Sequence, residues 1–272
     1  MARKEMNYGK PKQIDMVNCE VRIILEINEI FHRSSKSQNS FSHVIEPLGF
    51  FVDEEEFKAF LIMEYCEGGD LHQYIEDMKK SGQMISEEDA WTFISQMVST
   101  ISQMHFNGII HGDLKPSNVL LSRDRKIKLG DFGLARKLQN GATYATANGF
   151  SWRYLAPELL QPLQQQNIIG LKMEDMLKDK LELRFSSDIW ALGIILFELL
   201  AQYHPFMNKG EDHFILSNLK LVAENEPRQL PLRYPENMRK LILKMLVKDP
   251  RQRITTNEIM QTPEIIACLA KI

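Results

Sequence analysis

The chain is poor in several features that would place it in a specialised class. It has only three cysteines, Cys19, Cys66 and Cys268, an odd number without metal-ligand spacing. They offer no disulfide framework and read as reduced thiols of a cytosolic protein. No apolar run reaches the roughly 18 residues a membrane helix needs. The opening Met1-Ala2-Arg3-Lys4-Glu5 lacks the apolar stretch of a secretory signal. Charge of one sign is not in excess. The formal net charge is −3, so neither nucleic acid nor an anionic membrane is expected as the main partner. Internal repeats and long low-complexity tracts are missing, and so is any Gly-x-Gly-x-x-Gly segment. What remains is an ordinary globular composition over 272 residues, enough for one or two compact domains with a large core.

Chemistry concentrates in two neighbouring stretches. His111-Gly112-Asp113-Leu114-Lys115-Pro116-Ser117-Asn118 precedes an apolar run, Val119 to Leu121. After a short polar turn comes Ile127-Lys128-Leu129-Gly130-Asp131-Phe132-Gly133. Two loops joined by a short hairpin thus carry an Asp, a Lys, an Asn and a second Asp. Phosphoryl transfer needs such a set: a carboxylate to receive a hydroxyl proton, an Asn and an Asp for magnesium, and a Lys to neutralise charge. Asp-Phe-Gly alone is weak evidence. Both pieces in this order, with Ala156-Pro157-Glu158 downstream, are strong evidence.

The surrounding pattern alternates strand-like and helical segments. Ala2 to Asn7 reads as a short strand, and Val17, Ile24, Ile27 and Phe31 fall on one face of a helix over 13–31. Glu20 lies on that stripe. It either reaches water at the edge or is buried against a cation, for which Lys4 is the candidate. Residues 32–42 form a polar loop. Strand-like runs Val44 to Val52 and Phe57 to Tyr65 flank an acidic turn. Gly68-Gly69 breaks the second run, and Asp70 is placed to cap a helix starting at Leu71. Ser86 to His105 reads as a helix with a Ser86/Asp89 capping box and an apolar face through Ala90, Ile94, Met97, Ile101 and Met104. Leu134 to Glu158 is long and lacks regular pattern, which marks a functional loop. Gly170 to Leu183 is predicted as an amphipathic helix. The run starting at Asp188 is apolar nearly all round and should be a buried central helix. Asp188 is either its cap or an acceptor for a neighbouring loop's N–H groups. Pro235 to Val247 reads as a helix, and Asp249 to Arg253 as a turn.

These motifs resemble the eukaryotic protein kinases, and within them the NIMA-related (NEK) group. The resemblance rests on Lys4-Glu-Met-Asn-Tyr-Gly, Met63-Glu-Tyr-Cys-Glu-Gly-Gly-Asp-Leu71, Lys128 to Arg136 with its Leu-Gly-Asp-Phe-Gly-Leu-Ala interior, and Ser187-Asp-Ile-Trp190. It covers the chain except for insertions at 32–42 and about 163–183. It implies an α+β, bilobal kinase-like fold over 1–272: a partial small lobe to residue 66, begun at the third strand, and a mostly helical larger lobe from 67. By resemblance Lys4 holds the α- and β-phosphates of ATP and Glu20 positions it. Met63 is the gatekeeper, and Glu64 and Cys66 the hinge. Asp113 is the catalytic base, Lys115 touches the γ-phosphate, and Asn118 and Asp131 hold Mg²⁺. Glu158 pairs with Arg253, and Asp188 anchors the catalytic loop. The Asp113-Leu-Lys-Pro-Ser-Asn wording resembles serine/threonine kinases, not tyrosine kinases.

Three departures set further expectations. As the sequence stands, the glycine-rich loop and its two strands are absent. ATP binding should then be weaker, the γ-phosphate open to water and a sheet edge exposed, unless residues ahead of Met1 supply the loop. Gly112 replaces the usual Arg, so phosphate on Thr143 or Thr146 is not expected to be a strong on-switch. Phe150-Ser151 stands where Gly-Thr is usual. Ser151 keeps a hydroxyl for Asp113 and Lys115, and Phe150 alters peptide specificity. The expected function is Mg-dependent transfer of the ATP γ-phosphoryl group to protein Ser/Thr hydroxyls. The alternative is a kinase-fold interaction module with weak or no ATP binding. A cytoplasmic location and a microtubule or cell-cycle association follow from resemblance alone.

Overall fold

The computed structural model describes residues 1–34, 41–139, 141–147, 151–159, 181–207 and 221–271. Strands β1 (Ala2–Asn7), β2 (Pro47–Asp53) and β3 (Lys58–Met63) form an antiparallel sheet in the order β1-β3-β2. Helix α1 (Pro11–Ser34) accompanies it. In β1, Lys4 and Met6 lie on the more covered face while Arg3, Glu5 and Asn7 are exposed, as a period of two requires. The predicted apolar stripe of α1 is buried through Val17, Ile24, Ile27 and Phe31, joined by Ile23. The helix starts earlier than its periodicity indicates because Pro11 occupies the first turn, where its missing N–H costs nothing.

The first strand-like run begins later than predicted. Residues 43–45 serve a different neighbour: Ile45 N–H donates to the Leu129 carbonyl at 2.8 Å, and Leu129 N–H to the His43 carbonyl at 2.9 Å. Val44 thereby bridges Leu129 in parallel, tying the small sheet to the hairpin of β5 (Val119–Leu121) and β6 (Ile127–Leu129). Phe57, predicted in β3, is in the preceding turn at a φ of +52°.

The remainder is mostly helical. Asp70 caps α2 (Leu71–Lys80) by accepting the Gln73 N–H at 2.9 Å. Helix α3 (Glu87–Phe106) buries all five predicted apolar positions. Its cap is half of the expected box. Ser86 Oγ accepts the Asp89 N–H, but the Asp89 carboxylate accepts from the Ser86 hydroxyl instead of a backbone N–H. Two-residue strands β4 (Ile109–Ile110) and β7 (Arg136–Lys137) pair beside it.

The stretch predicted as irregular from Leu134 carries a further strand, β8 (Ala145–Ala147). It pairs antiparallel with β9 (Leu181–Leu183). The helix predicted over Gly170 to Leu183 is therefore wrong at its end: residues 181–183 are strand, and 170–180 lie outside the described residues, as do 35–40 of the polar loop. Helix α4 (Phe185–Ala201) is buried on nearly all sides, as its composition predicts. Its N-cap is Arg184, so Asp188 lies in its first turn and is not the cap. Helices α5 (Glu236–Met245), α6 (Thr256–Met260) and α7 (Pro263–Leu269) complete the larger layer. Among the described residues no helix is long and apolar enough to cross a membrane.

Candidate active site

Strand β1, helix α1 and the loop after β6 converge on one ammonium group. Lys4 Nζ lies 2.6 Å from Glu20 Oε1 and 2.7 Å from Asp131 Oδ1. Glu20 is buried, which settles the alternative left open by the sequence in favour of a cationic partner. Burial pushes the Glu20 carboxyl above its ordinary value, and the attraction of Lys4 offsets this only in part. Burial would also raise Asp131, but Lys4 outweighs it and holds that carboxyl below its usual range. Lys4 itself is raised: burial opposes its charge, and the two carboxylates win. Asp131 has a φ of +55°, a conformation disfavoured for a residue with a side chain. Next to it Phe132 is buried with its ring 5.2 Å from that of His111.

The catalytic-loop candidates are held from both ends. Lys115 Nζ donates to Asp113 Oδ2 at 2.6 Å and to Ser151 Oγ at 3.0 Å. Ser151 thus meets Lys115, and no bond joins it to Asp113 among the described residues. Asn118 Nδ2 donates to the Asp113 carbonyl at 2.8 Å and to Asp113 Oδ2 at 3.2 Å. The other carboxylate oxygen, Asp113 Oδ1, is buried without a hydrogen-bond partner. Below the loop, Asp188 accepts the His111 and Gly112 N–H groups, each at 2.9 Å. The second reading of Asp188, as acceptor for a neighbouring loop, is the observed one. His105 Nε2 adds a contact at 2.8 Å to Asp188 Oδ2. Burial would raise Asp188, but His105 and the loop N–H groups hold its carboxyl below the ordinary value.

Asp113, Glu20, Asp131 and Gly133 line an open cavity of about 390 Å³ together with Met6, Val17 and Leu134. The donor set fits a magnesium ion shared with a phosphate ligand. Asn118 commits its amide N–H groups to Asp113, which leaves its side-chain oxygen. The Asn118 carbonyl accepts the Gly130 N–H at 2.9 Å, setting it next to Asp131 across the hairpin. No cluster of three His, Cys, Asp or Glu that could hold a metal unaided occurs among the described residues. Mg²⁺ needs none, since it retains water and takes phosphate oxygens.

The remaining predicted residues are spread around this centre. Met63 ends β3 and packs against the core. Glu64 Oε1 accepts from Lys128 Nζ at 2.5 Å and from the Glu46 N–H at 2.9 Å. Burial pushes the Cys66 thiol above its usual value. Glu158 and Arg253 form a bidentate pair at 2.7 and 2.8 Å. Thr143 and Thr146 are exposed, and Phe150 lies outside the described residues. Sequence reading missed His105, taken only as a helix end, and the buried Lys128, whose ammonium is 4.7 Å from the Phe41 ring centroid. It also missed Leu183, which packs against Gly112. The Leu-Glu-Leu alternation at 181–183 was the one available signal.

Comparison with known proteins finds matches over most of the chain. The protein kinase domain family matches residues 1–265. Serine/threonine-protein kinase Nek2 of Mus musculus is 28% identical over 275 residues, covering 98% of this chain and 54% of that protein. Serine/threonine-protein kinase cds1 of Schizosaccharomyces pombe is 30% identical over 266 residues, covering 95% and 54%. Serine/threonine-protein kinase Nek3 of Mus musculus is 30% identical over 207 residues, covering 76% and 36%. The chain spans about half the length of these relatives, or less. The similarity to NEK proteins expected from the motifs is borne out.

Proposed function

Because the chain belongs to the protein kinase domain family, we propose that it transfers the γ-phosphoryl group of ATP to serine or threonine hydroxyls of a protein substrate, with Mg²⁺. The observation that carries this reading is the Asp113 carboxylate. Its Oδ2 is fixed by Lys115 and Asn118, and the residue lines the same cavity as Asp131 and Glu20. A substrate hydroxyl would donate to this carboxylate. Asp113 then orients it for in-line attack and takes its proton as the new O–P bond forms and the bond to the ADP oxygen breaks. Lys115 offsets charge on the transferring group, beside Ser151. Lys4, aimed by Glu20, holds the α- and β-phosphates, and the Glu64–Cys66 backbone behind Met63 receives adenine. Mg²⁺, when bound by Asn118 and Asp131, neutralises phosphate oxygens. On this reading residues 1–66 form the smaller lobe and 67–272 the larger. A cytoplasmic, cytoskeleton-associated location rests on the family resemblance, and imaging of the tagged protein would test it.

Transfer of radiolabelled phosphate to a generic Ser/Thr substrate tests the proposal. Asp131→Ala and Asp113→Asn should each lower it by roughly 10² or more. Absence of both transfer and a Mg·ATP thermal shift in the wild type would instead favour a kinase-fold interaction module.

A further inference from the structure

We propose that Leu183 is a positioning residue that braces the catalytic loop without a phosphate, and that phosphate on Thr146 works against this brace. The inference rests on the kinase reading above. Gly112 has a φ of +77°, and a Cβ there would fall 2.7 Å from Leu183 Cδ1 and 2.9 Å from the Leu134 carbonyl oxygen. No side chain fits at this position, because a methyl group of Leu183 in β9 stands where its Cβ would be. Leu183 is itself buried. The Gly112 N–H is held by Asp188 at 2.9 Å, so the residue before Asp113 is fixed by a carboxylate and packed by Leu183.

The strand that supplies Leu183 also grips the segment leading to Ser151. In the β8–β9 ladder Ala145 faces Leu183, Thr146 faces Glu182 and Ala147 faces Leu181. Arg184, the next residue, lies 2.9 Å from Glu182, 3.4 Å from Thr143 Oγ1 and 5.2 Å from the Tyr144 ring centroid. The two exposed threonines are therefore not equivalent. Phosphate on Thr143 would come beside Arg184. Phosphate on Thr146, with roughly −1.5 to −2 charges, would stand directly across the ladder from the Glu182 carboxylate. Like charges directly opposite destabilise a strand pair. Loss of pairing would withdraw Leu183 from Gly112 and loosen Asp113.

Steady-state kinetics and amide hydrogen exchange on the purified protein test this together. Leu183→Ala should lower kcat about tenfold with KM for ATP little changed, and raise exchange at 111–113 and 145–147. Leu183→Ile should recover most of both. Thr146→Glu should lower kcat, and the Thr146→Glu/Glu182→Lys double variant should restore it. Phosphatase treatment should not lower wild-type kcat. Unchanged kcat and exchange in Leu183→Ala, a gain in Thr146→Glu, or no recovery in the double variant would overturn the proposal. A wild type that transfers no phosphate would refute the kinase reading, while the exchange measurements would still decide whether Leu183 braces the loop.

Discussion

Glu20 and Asp131 both reach Lys4, yet they titrate in opposite directions. Glu20 is more deeply buried, so desolvation dominates and its carboxyl lies above 4.5; Asp131 lies below 3.8 because Lys4 prevails. As pH falls, Glu20 takes its proton first and releases Lys4 while Asp131 is still charged. The acid limb of kcat/KM for ATP should therefore follow Glu20. Glu20→Gln should have lower activity and lose that limb, and a pH–rate profile matching the wild type would refute the assignment. Stability divides in the same way. The Asp131 contribution is present above 3.8 and lost as pH falls through its folded value. That of Glu20, a raised group, is complete below 4.5 and lost as pH rises through its folded value. The place of Glu20 on the α1 stripe left its burial open, and the family resemblance favoured Lys4 as its partner. The second carboxylate on Lys4 was not legible, because Asp131 is 127 residues away and no periodicity connects them.

Helix α4 shows how an element's neighbours depend on a single small residue. A Cβ at Gly193 would fall 2.9 Å from both Met245 Cβ and Leu246 Cδ2, so α4 and the end of α5 approach as closely as they do only because a glycine stands between them. Gly193→Ala should lower the free energy of unfolding by about 1–3 kcal/mol through overpacking. Urea denaturation checks this, and a change below about 0.5 kcal/mol would place the two helices farther apart. The helix itself was plain from composition. Its contact with α5 was not, since a glycine in a helical run gives no sign of what it approaches. The β8–β9 pair illustrates the opposite failure. Three residues are less than one helical turn, so Leu181–Leu183 was assigned to the pattern before it, and its partner strand is remote in the chain.

At the scale of the whole molecule, Arg253 ties the C-terminal helices to the segment after the active site. Its guanidinium is buried, forks onto Glu158, donates to the Ser186, Val247 and Lys248 carbonyls and lies 5.1 Å from the Trp190 ring centroid. Arg253→Ala would leave Glu158 and three carbonyls without their donor, a loss of about 3–5 kcal/mol. Thermal unfolding should show a large fall in Tm. Arg253→Lys should recover little, because an ammonium cannot reproduce the planar fork. Similar thermal stability in all three forms would show that the pair holds nothing. The sequence by itself determined the buried stripes of α1, α3 and α4 and the residue types needed for phosphoryl transfer, because periodicity and loop chemistry are local; the fold class followed from the resemblance those motifs carry. Only the tertiary structure decided that Lys4 is shared between two carboxylates, that Lys115 and Asn118 both hold Asp113, that Asp188 anchors a loop instead of capping a helix, and that Leu183 fills the side of Gly112. Those contacts join remote parts of the chain, and which atoms meet there depends on how closely the elements pack.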